Sequence, residues 1–115
     1  MPSERFSKDR RVRRRGEFQR VFDLSLRTKG RYLTILVALN GAGAARLGII
    51  ASRKLGNAVR RNRAKRLIRE VFRRNKIAAG FDVVVVPNRD LLDASLTLLE
   101  AEYRGLVERG TRKRR

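Results

Sequence analysis

The sequence predicts a single α+β domain, a small mixed β-sheet packed by helices, on three observations. Three segments are dense in β-branched and aliphatic residues: 31–39 (RYLTILVAL), 46–52 (RLGIIAS) and 81–87 (FDVVVVP). Three others, 16–28, 57–75 and 93–109, repeat their apolar residues with the period of a helix. At 115 residues the chain has material for one modest core and no second domain. The expected order is α-β-β-α-β-α, with a further short strand near the loop after the second strand. No internal repeat is present.

Residues 1–15 lack a sustained apolar period and read as a basic N-terminal arm able to fold onto a polyanion. From Gly16, residues Phe18, Val21, Phe22, Ser25 and Leu26 fall at i, i+3, i+4, i+7 and i+8, the inner stripe of a short helix. The run NGAGAA at 40–45 is a turn between two strands. Gly56-Asn57 opens the next helix with Asn57 as N-cap, and Asn75 followed by Gly80 closes it. The strand at 81–87 is nearly all apolar, which implies burial on both faces and a central or parallel place; Pro87 stops it. Asp93 is the expected cap of a last helix reaching about Arg109, with Leu96, Leu99, Tyr103, Leu106 and Val107 facing inward. A basic tail, 110–115, follows.

The chain carries 30 Lys and Arg against 11 Asp and Glu, a formal charge of +19, so its partners are acidic. Arginine supplies 24 of the 30 cations, and guanidinium groups bind phosphate bidentately and stack on bases. The charge is regional: net +10 over 53–76 and +7 over 1–31, but only +1 over 77–115. With no Cys and no His, disulfides, Cys/His zinc sites, Cys nucleophiles and imidazole acid–base chemistry are all excluded. No apolar run is long enough to span a bilayer and no secretory h-region follows the basic N-terminus, so a soluble cytoplasmic protein is expected. The basic helix has no Trp and an apolar face of core type, which argues against a membrane surface.

The stretch from Lys54 to Lys76 holds ten Lys/Arg and one acid, Glu70. At 100° per residue Ala64, Leu67, Ile68, Val71 and Phe72 share a stripe about 140° wide. Asn62, Lys65, Arg66, Arg69 and Arg73 gather opposite, with Glu70 expected off their face. An ordinary solvated face mixes signs at i,i+4 spacing, and this one does not, which points to nucleic acid. Phe18 and Phe22 share a helical face; they are either core residues or rings that stack on unpaired bases. Phe72, Phe81 and Tyr103 read as core. DNA lacks support, since zinc modules, basic-zipper heptads and a helix-turn-helix pair are all missing. Asp82, Asp90 and Asp93 are explained by caps and turns rather than by catalysis.

Residues 54–69, KLGNAVRRNRAKRLIR, resemble the bacterial ribonuclease P protein subunit, meeting the pattern K-x-G-x-A-V-x-R-N-x-x-K-R-x-x-R at every fixed position. The likeness extends to GEFQRVF at 16–22 and to the strand-turn-strand ahead of the motif, covering about 8–108. It implies an accessory subunit of an endoribonuclease that removes the 5′ leader of precursor tRNA. Catalysis would belong to a large RNA and its Mg²⁺ ions, and the expected partners are that RNA and precursor tRNA, not DNA or membrane. It also implies a left-handed β-α-β crossover through the basic helix, against the general right-handed rule. By matching position, Lys54, Arg61, Asn62, Lys65, Arg66 and Arg69 become the expected RNA-contacting residues, and Asn57, Arg60, Arg63 and Arg73 of the same basic stretch complete the expected RNA-binding set. Phe18, Phe22 and Ser52 become the leader cleft, between the first helix and the sheet. No protein-bound metal is implied. Leu36 stands where some relatives carry an aromatic, and Ala64 where a bulkier aliphatic is common. A structural RNA-binding protein, such as a small ribosomal component, or a nucleoid-type DNA binder are the alternatives.

Overall fold

The computed structural model describes residues 26–40, 43–76 and 80–114, together with Gly16. The basic arm and the first expected helix, with Phe18 and Phe22, lie outside the described residues. Four strands, β1 (Leu26–Lys29), β2 (Leu33–Leu39), β3 (Arg46–Ile49) and β4 (Phe81–Pro87), form one sheet in the order β1-β2-β4-β3. β2 pairs antiparallel with β1 and β4, while β3 and β4 run parallel. The parallel pair needs a crossover, and helix α1 (Ala58–Arg74) supplies it. Helix α2 (Leu96–Arg114) ends the fold. The α+β class and mixed sheet are those expected from the sequence.

The two faces of the sheet differ. Ile35 and Val37 of β2, Leu47 of β3, and Val83 and Val85 of β4 point toward the helices, where Ala64, Ile68, Val71 and Phe72 of α1 and Leu99, Tyr103 and Leu106 of α2 meet them. The opposite face carries a smaller cluster of Leu36, Ala38 and Val84, with Ile50 and Val86 beside it. β4 is central, as its uninterrupted apolar run implies, and Val83, Val84 and Val85 are fully buried.

Four expectations are corrected. The helical stripe was expected to include Leu26, but Leu26 opens β1, whose register sets Leu26 opposite Val37 and Lys29 opposite Thr34. The extra strand thus precedes the first expected one rather than following the second. A four-residue strand carries too little period of its own, so the pairing with β2 decides it. The strand at 46–52 is shorter, giving way at Arg53–Leu55 to a single 3₁₀ turn. Asp93 ends another 3₁₀ turn, Leu91–Asp93, and α2 is capped instead by Ser95, whose Oγ accepts from the Leu98 amide at 3.2 Å. Finally, α2 runs past Arg109, so 110–114 is helix rather than tail. Gly110 continues this helix and is closely packed: a Cβ on it would lie 2.8 Å from Val37 Cγ2.

Two polar nodes fix this frame. Glu102 of α2 reaches the β1–β2 turn and accepts from the amides of Arg31, Tyr32 and Leu33 at 3.0, 2.7 and 2.8 Å. Asp82 of β4 is wholly buried, and its carboxylate accepts from Arg46 Nε and Nη2 at 2.8 and 2.7 Å and from Asn40 Nδ2 at 2.7 Å. The bidentate fork and the amide neutralise a charge that burial alone would make costly. Asp82 is therefore neither a cap nor a turn residue.

Candidate nucleic-acid interface

The approach to α1 is built tightly. Ser52 Oγ accepts from the Lys54 amide at 3.3 Å and starts the 3₁₀ turn that buries Leu55. Gly56 then takes φ 122°, a conformation that L side chains rarely adopt. A Cβ there would also lie 2.5 Å from Arg60 Cδ. Asn57 caps α1 as expected, its Oδ1 accepting from the Arg60 amide at 3.0 Å. Arg60 folds back, and its Nε donates to the Leu55 carbonyl at 2.8 Å. Of the expected RNA set, Asn57 and Arg60 thus hold the entry turn together.

Along α1 the apolar stripe is seated as the period predicts, with Ala64 at 0 % and Ile68 at 2 % exposure and Leu67 packed alongside. The small side chain of Ala64 is enclosed. On the other side Asn62, Arg63, Arg66 and Arg69 are exposed, while Arg61 and Lys65 are half-buried along their stems. Among the described residues none of Arg61, Arg63, Lys65, Arg66 and Arg69 forms an ion pair. Arg73 differs. Glu70, expected off the cationic face, accepts from Arg73 Nη2 at 2.6 Å. Residues three apart are neighbours on a helix surface, so Glu70 borders the cationic face at Arg73. That hydrogen bond and the neighbouring guanidinium charges hold the exposed Glu70 carboxyl below its ordinary range.

The carboxyl end of α1 is anchored by α2. Asn75 Nδ2 donates to the Val71 carbonyl at 2.8 Å and to Glu100 Oε2 at 3.0 Å, and Arg104 Nη1 donates to Asn75 Oδ1 at 2.9 Å. Arg74 pairs with Glu100 at 3.3 Å. The uncompensated charge is therefore concentrated on the first four turns of a helix fixed at both ends.

Ser52 and Lys54 lie together on an open depression of about 660 Å³, with Val86, Pro87, Asn88 and Arg89. Parallel β3 and β4 release their chains at the same sheet end, which brings 50–54 beside 86–89 and leaves a crevice there. Asn88 and Arg89 escaped the sequence reading; only the parallel pairing brings them to Ser52. Leu36 is buried in the cluster on the same sheet face as Val86. Among the described residues no three His, Cys, Asp or Glu side chains gather in a metal-binding group.

A cationic helix bridging two parallel strands, with a crevice at their carboxyl ends, defines a small basic α+β protein with one rigid, positively charged face. Comparison with known proteins narrows the class. Residues 6–110 match the Ribonuclease P family. The chain is 43% identical over 91 residues to the ribonuclease P protein component of Thermotoga maritima, covering 77% of this chain and 78% of that one. It is 36% identical over 117 aligned residues to that of Pseudomonas aeruginosa strain LESB58, covering 99% and 87%. The solved Thermotoga maritima protein superposes with a TM-score of 0.78 at 36% identity, covering 86% and 96%. The Staphylococcus aureus protein gives 0.76 at 29%, covering 86% and 93%. The chain belongs to the bacterial ribonuclease P protein component family, and it is a component of that endoribonuclease, which processes tRNA 5′ ends.

Proposed function

We propose that this chain is the accessory protein of a ribonuclease P holoenzyme and holds two RNAs together: the catalytic RNA on the basic face of α1, and the 5′ leader of precursor tRNA on the sheet. The supporting observation is the set of exposed, uncompensated cations Arg63, Arg66 and Arg69 on a helix whose inner stripe and two ends are fixed. Neutralising phosphates with pre-placed guanidinium groups releases counterions without reordering the protein. Those cations also offset the repulsion between two polyanions brought side by side.

Hydrolysis of the phosphodiester is assigned to the catalytic RNA, with Mg²⁺ held by that RNA supplying the Lewis acid and activated water. The protein's own part is positioning. Ser52, Phe18 and Phe22 are assigned to the leader, which mature tRNA lacks, so precursor is held more tightly than product. Lys54, Asn62 and the α1 cations are assigned to the catalytic RNA.

Arg66→Ala and Arg69→Ala together should weaken binding to the catalytic RNA by about tenfold or more at moderate salt. The slope of log K against log salt should fall by about 2. Unchanged affinity and slope in this double variant would refute the placement of the catalytic RNA on α1.

A further inference from the structure

Val59 is 74 % exposed, more than any other large apolar side chain among the described residues. A single exposed apolar residue needs no explanation in itself, but the place of this one does. At 100° per residue it falls within about 15° of the line opposite the Ala64–Ile68–Val71–Phe72 stripe, in the middle of the cationic face. Asn62, Arg63 and Arg66 follow at i+3, i+4 and i+7, are exposed, and neighbour it on the helix surface. Val59 gives the free helix little. It is β-branched and a weak helix former. A hydrophobic staple would join the residue before the cap to the fourth of the helix, here Gly56 to Arg61, and leaves Val59 out. Beside it the Asn62 amide makes no side-chain hydrogen bond among the described residues.

Charge complementarity identifies what covers this pair. Arg63 and Arg66 form no ion pair among the described residues, so the surface around Val59 accepts phosphates. An RNA duplex offers a valine little, because its base faces are stacked and its major groove is too narrow for side chains to read. An unpaired nucleotide offers both a flat face and a hydrogen-bonding edge. Cβ atoms at i and i+3 lie about 5–6 Å apart, close enough for one base to meet both residues. A side-chain amide sets a donor beside an acceptor, the match for N7 and N6 of adenine. We propose that α1 captures one unpaired adenine of the catalytic RNA, its face on the Val59 methyls and its edge on the Asn62 amide, with Arg63 and Arg66 on the flanking phosphates. This inference rests on the reading that places the catalytic RNA on α1. It adds a base preference, which phosphate contacts alone do not supply.

The test compares the full chain with its Val59→Ser, Asn62→Ala and Arg66→Ala/Arg69→Ala variants. Affinity for the catalytic RNA is measured across salt, and adenine N7 is probed with diethyl pyrocarbonate in each saturated complex. Asn62→Ala should lose about fivefold or more in affinity, and Val59→Ser several-fold. Neither should change the salt slope, because neither removes a charge. One adenine shielded by the native protein should become reactive in both complexes. The two changes together should lose little more than the larger alone, since one base bridges both residues. Both positions are exposed, so both variants should melt with the native protein, which separates lost contact from lost folding. If either variant binds as the native protein does, or loses affinity without uncovering an adenine, the inference is overturned while the α1 reading stands. If the Arg66→Ala/Arg69→Ala variant also keeps native affinity and slope, the α1 reading is the one that fails.

Discussion

Replacing Glu102 with Ala removes the carboxylate that joins α2 to the β1–β2 turn, and its cost can be worked from the structure. Three amides lose their acceptor: Arg31, Tyr32 and Leu33, bonded at 3.0, 2.7 and 2.8 Å. The Arg31 bond is exposed and water replaces it. The Tyr32 and Leu33 bonds are partly buried, and each unsatisfied amide costs about 1–3 kcal/mol. Water entering the turn keeps the sum toward the lower end, about 2–4 kcal/mol. Against a typical domain stability of about 5–15 kcal/mol this is a large fraction. In thermal unfolding it should lower Tm by about 8–16 °C. Glu102→Gln keeps one carbonyl acceptor and should lose about half as much. Hydrogen exchange gives the local readout: the Tyr32 and Leu33 amides should exchange faster than their neighbours in β2. An alanine variant melting within about 2 °C of the native protein, with those amides still protected, would show that the carboxylate does not hold the turn.

Three further outcomes are expected. Tyr103 is 1 % exposed, its hydroxyl has no hydrogen-bond partner among the described residues, and burial pushes the phenol above its ordinary pKa range. Tyr103→Phe should therefore be neutral or stabilising by about 1 kcal/mol in urea unfolding, and a loss of about 2 kcal/mol or more would reveal a partner for the hydroxyl. Gly110→Ala should destabilise by about 1 kcal/mol, because overpacking against Val37 outweighs the gain in helix propensity. In a Val37→Ala background the same change should stabilise, and failure of that reversal in a double-mutant cycle contradicts the packing argument. Phe18→Ala and Phe22→Ala should narrow the holoenzyme's preference for precursor over mature tRNA, each by about 1–3 kcal/mol if the rings stack on bases; an unchanged preference removes both from the leader cleft.

What the sequence discloses here is what short-range chemistry decides. The Ala64–Phe72 stripe, the Asn57 cap and the central burial of β4 each depend on neighbours within a few residues, and each is found where expected. The misread features depend on distant partners. β1 continues a helical stripe on paper and becomes a strand only through β2. The last helix reads as ending near Arg109, yet it continues through Gly110, which packs against Val37. The Arg46–Asp82 pair spans 36 positions and exists only because parallel pairing aligns those two residues. The same holds for the site: the α1 cations were legible, but Asn88 and Arg89 reach Ser52 through the sheet alone. Glu70 is the local exception: it is off the centre of the cationic face, yet three residues from Arg73 it is that residue's neighbour on the helix surface.

The most direct measurement of the central claim is to purify the protein from cells with its bound nucleic acid and sequence what comes with it, beside the Arg66→Ala/Arg69→Ala variant. One large structured RNA should accompany the native protein. Together they should cleave precursor tRNA at the leader junction in Mg²⁺, and the variant should lose that RNA. Recovery of ribosomal RNA or DNA of mixed sequence instead, equally with both proteins, would contradict the account.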